Sequence, residues 1–226
     1  MDKFVIATWG EWNVKNYEKN FSNDDRYILI KEKHELTQEY LEDVNPKYVF
    51  FPHWSHIIPK SIYENFECVV FHMTDLPYGR GGSPLQNLIV NGQTETKISA
   101  IKVVKELDAG PVYFKLPLSL EGTAQEIYTR ASSVIFEKLI PMIVTDNPQP
   151  VEQVGEVFNF KRRKPEDGNL ENCKGINQIY DYIRMLDAEG YPNAFLEFKD
   201  YVLTFKKAQL LNGEVKAEVI FKRKED

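Results

Sequence analysis

The stretch 48-YVFFPHWSHIIPKSIYENFECVVFH-72 decides the fold. It opens on four apolar, β-favouring residues, 48-YVFF-51, and closes on a second such run, 68-CVVFH-72, with helical spacing around 60–66 between them. A strand apolar on both faces must be covered on both faces, and two such strands joined by a helix read as a βαβ unit of a parallel sheet. Working outward, 4-FVIATW-9 and 27-YILIK-31 are further strands of this kind, separated by helical segments around 12–20 and 35–43. Downstream follow a helix at 83-SPLQNLIVNG-92, two longer strands at 97-KISAIKVVKE-106 and 112-VYFKLPL-118, and a long helix from Thr123. Glu126 completes a capping box with Thr123, and Pro141 is expected to kink or end that helix. From about 146 the texture changes. A Pro-rich connector, 146-DNPQPVEQVGE-156, and a charged loop, 161-KRRKPEDG-168, precede one helix (176-INQIYDYIRMLDA-188) and three strands. The last two, 201-YVLTFKKAQL-210 and 214-EVKAEVIFK-222, flank Asn212-Gly213, a strong hairpin signal. The expected architecture is therefore a doubly wound, mostly parallel, Rossmann-like α/β domain over 1–146 and a small α+β appendage over 147–226.

Composition narrows the class. The chain has 226 residues, 42% hydrophobic and 27% charged, with a net charge of −6. That is ordinary for a soluble globular protein and gives no support to a nucleic-acid partner, which needs a basic patch. Two cysteines make no disulfide framework and point to a reducing cytoplasm. The chain enters its first strand without a basic-then-apolar signal pattern, and no run approaches membrane-spanning length. Four histidines and two cysteines lie at no ligand-like spacing, so no metal is expected.

His72 closes the fourth strand, and 73-MTDLPYGRGGSP-84 follows it. In an open α/β sheet ligands bind beyond the carboxyl ends of the strands, which places His72 at the mouth of a crevice. The glycines of 79-GRGG-82 let backbone approach a ligand closely. Asp108, in the turn 107-LDAG-110, is a candidate to fix the tautomer of His72 and support its protonated form, making it a general base. A histidine ending a strand serves equally as a packed or capping residue, and Asp-Ala-Gly is a common turn.

The segment 68-CVVFHMTDLPYGRGGSPLQNLIVNGQTETKISAIKVVKELDAGPVY-113 resembles the formyltransferase family that uses 10-formyltetrahydrofolate. The family pattern is Asn-x-His-x-Ser-x-Leu-Pro, then Arg-Gly, then a Leu-Asp-x-Gly turn. Its counterparts here are His72, Thr74 in the place of the serine, Pro77, Arg80-Gly81, Pro84, Gly92 and 107-LDAG-110. The loop in 48-YVFFPHWSHIIPK-60 looks like the family's folate pocket, and the resemblance covers most of the first 145 residues. In the tail, 162-RRKPEDG-168 and 183-IRMLDAEGYPNAF-195 look like the region after the catalytic domain in sugar and tRNA formyltransferases. The resemblance implies an N-formyltransferase in which an amine attacks the formyl carbon of the folate, His72 takes the amine's proton and Asp108 orients His72. It further implies a folate pocket formed by Trp54, Ile57, Ile58, Pro59, Ala109 and Gly110. Val70 is a departure. The family has an asparagine there, which donates to the developing oxyanion, and losing such a donor typically costs ~100-fold or more in rate. His53, at the end of the neighbouring strand, is the candidate replacement; packing as a loop histidine is its other role.

The acceptor amine is narrowed by elimination. Residues 151–226 hold 13 Lys+Arg and 14 Asp+Glu by count along the sequence, so the tail is neither large nor basic and supplies little counterion-release binding to tRNA. The loop 8-TWGEWN-13 is a poor phosphate cradle, but Trp9 and Asn13 are suited to stacking on and hydrogen-bonding a base or sugar, unless the tryptophans are core. A nucleotide-linked amino-deoxy sugar is favoured, with Thr74, Arg80, Gly81 and Arg162 as further substrate contacts. A run such as 161-KRRK-164 also serves as a plain solvated loop. The segment 69-VVFHMTDLP-77 looks most like the formyltransferases of pseudaminic-type sugar pathways, implying a 4-amino-4,6-dideoxyhexose. Methionyl-tRNA remains the alternative acceptor. A catalytically impaired folate or sugar-nucleotide binding module is the alternative that Val70 raises. A formyltetrahydrofolate hydrolase would share the site but carries an N-terminal regulatory domain that is not expected here. A homodimer built through the alternating tail strands is a further expectation.

Overall fold

The computed structural model of the chain describes residues 1–224. They gather into two compact units: the first comprises 1–81, 96–118 and 128–159, the second 82–95, 119–127 and the chain from 160 onward.

Along the first part of the chain, β1 (Phe4–Ala7), α1 (Glu11–Asn20), β2 (Tyr27–Ile30), α2 (Gln38–Val44), β3 (Tyr48–Phe51), α3 (Lys60–Tyr63) and β4 (Cys68–His72) alternate as their periodicity requires. A short strand β5 (Tyr78–Gly81) and a helix α4 (Pro84–Val90) precede two longer strands, β6 (Glu95–Lys102) and β7 (Val112–Ser119). The main sheet has the order β2-β1-β3-β4-β6-β7. Pairing is parallel from β2 through β4, and β6 then runs antiparallel, with His72 opposite Ser99.

Both faces of this sheet are covered. Val5, Ala7, Val49, Phe51 and Cys68 pack on one face with Leu41 of α2, Ile62 of α3 and Ile58. On the other face the Phe4 ring lies 5.0 Å from Tyr27, which stacks on Phe21 at 4.2 Å. Phe21 in turn meets Phe136 at 6.1 Å, and Phe50 stacks on Phe71 at 6.3 Å. This two-sided burial is why the strands read as continuous apolar runs rather than alternating ones.

The long helix begins as expected. Glu126 Oε2 accepts from Thr123 N at 2.7 Å while Glu126 N donates to Thr123 Oγ1 at 3.3 Å. It does not end at Pro141. Helix α5 (Ala124–Val134) continues through a π-helical segment, Ile135–Leu139, into α6 (Ile140–Asp146), which carries the proline in its first turn. Proline lacks an N–H and its ring crowds the preceding turn, and a widened turn just before it accommodates both defects.

The connector leads into a strand that the sequence reading does not anticipate. Its strand β8 (Phe158–Phe160) pairs with β5 in a two-stranded sheet, and the Phe158 ring stacks on Tyr78 at 5.2 Å. Neither short strand shows alternation, so periodicity could not find them. In the second unit, helix α7 (Ile176–Arg184) precedes a sheet of order β11-β10-β9, made from β9 (Ala194–Phe198), β10 (Tyr201–Leu211) and β11 (Glu214–Arg223). The hairpin turn is where the sequence puts it, with Asn212 at φ 52° and Gly213 at φ 77°, the positive angles a type I′ turn requires. Arg184 is buried and satisfied, donating to Asp181 Oδ1 at 2.7 Å and to the carbonyls of Leu120 and Gly122 at 2.6 and 3.0 Å. Among the described residues no helix is long and apolar enough to cross a membrane.

Candidate active site

His72 ends β4 at the carboxyl edge of the parallel strands, and the chain that leaves it is pinned at once. Ser99 Oγ donates to Thr74 O at 2.7 Å and accepts from Leu76 N at 3.3 Å. Lys115 Nζ donates to Asp75 Oδ1 at 2.7 Å and also to Leu76 O, and the Leu76–Pro77 peptide bond is cis. These bonds turn 77–81 back over the end of β4, so that Gly79 O comes within 2.7 Å of His72 Nε2 and accepts from Thr74 Oγ1 at 3.4 Å.

The other ring nitrogen faces a carboxylate: His72 Nδ1 lies 3.6 Å from Asp108 Oδ1. Asp108 Oδ2 accepts from Gly81 N at 2.9 Å, so one carboxylate ties the histidine to the glycine loop. Asp108 sits at φ 55°, a left-handed conformation that aspartate tolerates better than most residues. Both neighbours of the imidazole are therefore acceptors. His72 is 9% exposed.

Around this pair, Arg80 donates through Nε and Nη2 to Gln153 Oε1 at 3.1 and 2.8 Å, and its Nη1 lies 3.7 Å from Glu106 Oε1. Gln153 Nε2 donates to Asp108 O and Gly110 O, both at 2.8 Å. Gln153 lies in the connector, outside any motif, and nothing in the sequence singled it out.

A second cluster surrounds His53. Its ring meets Tyr128 at 4.5 Å, Trp12 at 5.7 Å and Trp9 at 5.9 Å, all edge-on, and Trp12 stacks on Tyr128 at 6.1 Å. The packing partners of His53 are thus these three rings, whereas Trp54 meets Phe51 and His56. Phe51, the last residue of β3, pairs with Val70 of β4, and His53 lies in the turn that follows β3, whereas His72 is the last residue of β4. Asn13 is 1% exposed and donates to Trp9 O at 2.8 Å. Its Oδ1 and the indole N–H groups of Trp9 and Trp12 are buried without a hydrogen-bond partner, an arrangement that proteins rarely leave unused.

Burial among these rings pushes the His53 imidazole down from its ordinary 6.5 to about 4. Because the unfolded chain binds this proton near 6.5 and the folded one only near 4, acid favours unfolding in that window. Stability is complete above about pH 6.5 and falls by up to about 3 kcal/mol as pH drops toward 4. Urea titrations at pH 7 and 4.5 on the wild type and on His53→Asn, which tolerates the left-handed φ of 54°, check this. The variant is expected to lose that part of the pH dependence.

The loop 52–59 exposes Ile57 (91%) while Ile58 joins the core and Pro59 caps α3. Trp54 is partly buried, and its indole N–H lacks an acceptor. Ala109 N donates to Glu106 O at 3.3 Å within the Asp108 turn. Gly110 packs so tightly that a Cβ would lie 1.8 Å from Lys102 O. Arg162 belongs to the second unit, where its backbone and Cβ press on Gly82, leaving 2.7 Å for any added Cβ.

A family model described as formyl transferase matches residues 18–143. The chain belongs to the formyl transferase family. Members of this family are folate-dependent N-formyltransferases that take the formyl group from 10-formyltetrahydrofolate. A second model, the C-terminal domain of methionyl-tRNA formyltransferase, matches residues 165–222 of this family member. A methionyl-tRNA formyltransferase of Rickettsia felis is 24% identical, over 80% of this chain and 61% of its own length. The chain thus spans about three-fifths of the length of the curated relatives it matches. Among solved structures, a methionyl-tRNA formyltransferase from Clostridium thermocellum is 50% identical, with a TM-score of 0.97, 99% of this chain covered and 100% of that one. A sugar N-formyltransferase from Shewanella shares the fold, with a TM-score of 0.65 at 15% identity and 96% of each chain covered.

Proposed function

We propose that this formyl transferase family member transfers a formyl group from 10-formyltetrahydrofolate to a primary amine, with His72 as base and Asp108 as its orienting carboxylate. The observation that carries this is the setting of His72, held at a strand end between Asp108 Oδ1 and Gly79 O. When bound, the folate supplies an electrophilic formyl carbon. Trp54, Ile57, Ile58, Pro59, Ala109 and Gly110 are the residues we assign to holding it. With its one proton on Nδ1, toward Asp108, neutral His72 offers the Nε2 lone pair to the amine proton as the amine bonds to the formyl carbon, and passes that proton to the folate nitrogen as the bond from the formyl carbon to it breaks. Neutral at pH 7, His53 retains one ring N–H, which we assign to the place of the family asparagine that Val70 vacates.

As acceptor we favour the amine of a nucleotide-linked amino-deoxy sugar, of the 4-amino-4,6-dideoxyhexose type. The near-neutral tail supports this, with 13 Lys+Arg against 14 Asp+Glu. So do the unpartnered groups of Trp9 and Asn13. Thr74, Arg80 and Gly81 complete the contacts we assign to it. The reading places the base and its carboxylate, His72 and Asp108, in the domain over 1–146 of a cytoplasmic enzyme. One observation favours the alternative acceptor, methionyl-tRNA: the relative of that name that is 50% identical is covered over its whole length. Formyl transfer followed by mass spectrometry, over a panel of amino-sugar nucleotides with initiator methionyl-tRNA beside them, separates the two. Mass gain on a sugar alone supports the first acceptor. Gain on tRNA alone overturns it, and no gain on either sinks the enzymatic reading.

A further inference from the structure

We propose that Gln153 is a positioning residue that holds Asp108 against His72, and that the connector is thereby a working part of the site. This deepens the roles proposed above for His72 and Asp108. The amide of Gln153 has two N–H donors and an oxygen with two lone pairs. All four are engaged: the donors at Asp108 O and Gly110 O, the oxygen by Nε and Nη2 of Arg80. Only one amide orientation serves this set, nitrogen to the carbonyls and oxygen to the guanidinium. The two carbonyls bracket a turn whose aspartate stands at φ 55°, where a non-glycine residue persists only if its surroundings over-determine it.

The connector is itself fastened at both ends of the site. Val112 N donates to Val151 O at 2.7 Å and Val151 N returns a bond to Val112 O at 2.9 Å, just beyond the Asp108 turn. At the other end Phe158 N donates to Pro77 O at 3.3 Å and the Phe158 ring covers Tyr78. Between these anchors Gln153 spans from the turn carrying Asp108 to the loop carrying Arg80 and Gly81. The same two segments are joined by the bond from Gly81 N to Asp108 Oδ2. With Gln153 removed, the carboxylate that faces Nδ1 of His72 is held by the Gly81 bond and its own strained turn.

Gln153→Glu separates this role from a simple anchor for Arg80, because a carboxylate accepts from the guanidinium but donates nothing to the two carbonyls. The test compares wild type, Gln153→Glu, Gln153→Ala and Arg80→Ala by hydrogen exchange at the Gly81 amide, which needs no substrate, and by steady-state formyl transfer. In both Gln153 variants Gly81 exchange is expected to rise about tenfold, the size of one lost hydrogen bond. Turnover is expected to fall by a similar factor with KM for 10-formyltetrahydrofolate nearly unchanged, since the defect lies in the base and not in binding. Unchanged exchange in Gln153→Glu overturns the proposal, as does an equal rise in Arg80→Ala, which would make Gln153 a holder of the arginine only. The exchange result stands even if the wild type formylates nothing in the panel, so failure of the positioning role and failure of the catalytic reading are told apart.

Discussion

Replacing His72 by alanine is expected to lower formyl transfer by about 100- to 10,000-fold, the span usually lost with a general base. The ring is nearly buried between Gly79 O at 2.7 Å and Asp108 Oδ1 at 3.6 Å, and the bonds by which Ser99 and Lys115 pin the following turn do not involve it. Its removal should therefore leave the turn in place. Single-turnover rates, taken with a melting curve, test both halves of this. A fall of less than about tenfold at unchanged stability would remove His72 from the chemistry. Asp108→Asn keeps an oxygen for Gly81 N and a residue type that accepts the left-handed φ, yet it withdraws the negative charge beside Nδ1. It should act mainly on turnover, by less than His72→Ala.

Gly110→Ala should damage the fold more than any other small substitution in the turn. The new methyl group would lie 1.8 Å from Lys102 O and 2.9 Å from Lys102 C, and backbone in a sheet strand cannot swing aside as a side chain can. Overpacking of this kind costs about 3 kcal/mol or more, or a drop in melting temperature of about 10 °C for a chain of this size. The strain falls where Gln153 and the Lys102 N to Pro111 O bond converge, so turnover should fall too. Gly175→Ala is the matched control: a methyl there meets open space at an extended backbone position, and the expected change stays below about 1 kcal/mol. A Gly110→Ala protein that melts with the wild type would mean that β6 and the turn yield in solution.

The sheet was legible because burial on both faces leaves its mark in sequence as apolar runs, and 48-YVFF-51 and 68-CVVFH-72 are such runs. The capping box at Thr123 and the turn at Asn212-Gly213 were legible because each depends on particular residue types at fixed spacing. The pairing of His72 with Asp108 was read from a motif and a turn, which carry position but not distance. The path of the helix through Pro141 was not legible, because a π-helical turn changes register without any residue type of its own. The aromatic surroundings of His53 were likewise hidden. Tyr128 comes from a helix 75 residues away in sequence, and no local pattern records which rings meet. Gln153 was invisible for a related reason: an amide with all its bonds made to backbone and one arginine looks, in sequence, like any polar residue in a Pro-rich link.

That link bears on how such a chain can be cut and recombined. A graft that ends at the last helical residue, Asp146, would carry His72, Asp108 and Arg80 but leave behind Val151, Gln153 and Phe158. The compact first unit runs instead to Asn159. A chimera intended to give this catalytic half a new tail should keep the donor sequence through Asn159 and place its junction there. Swapping at the helix end would exchange part of the site along with the appendage.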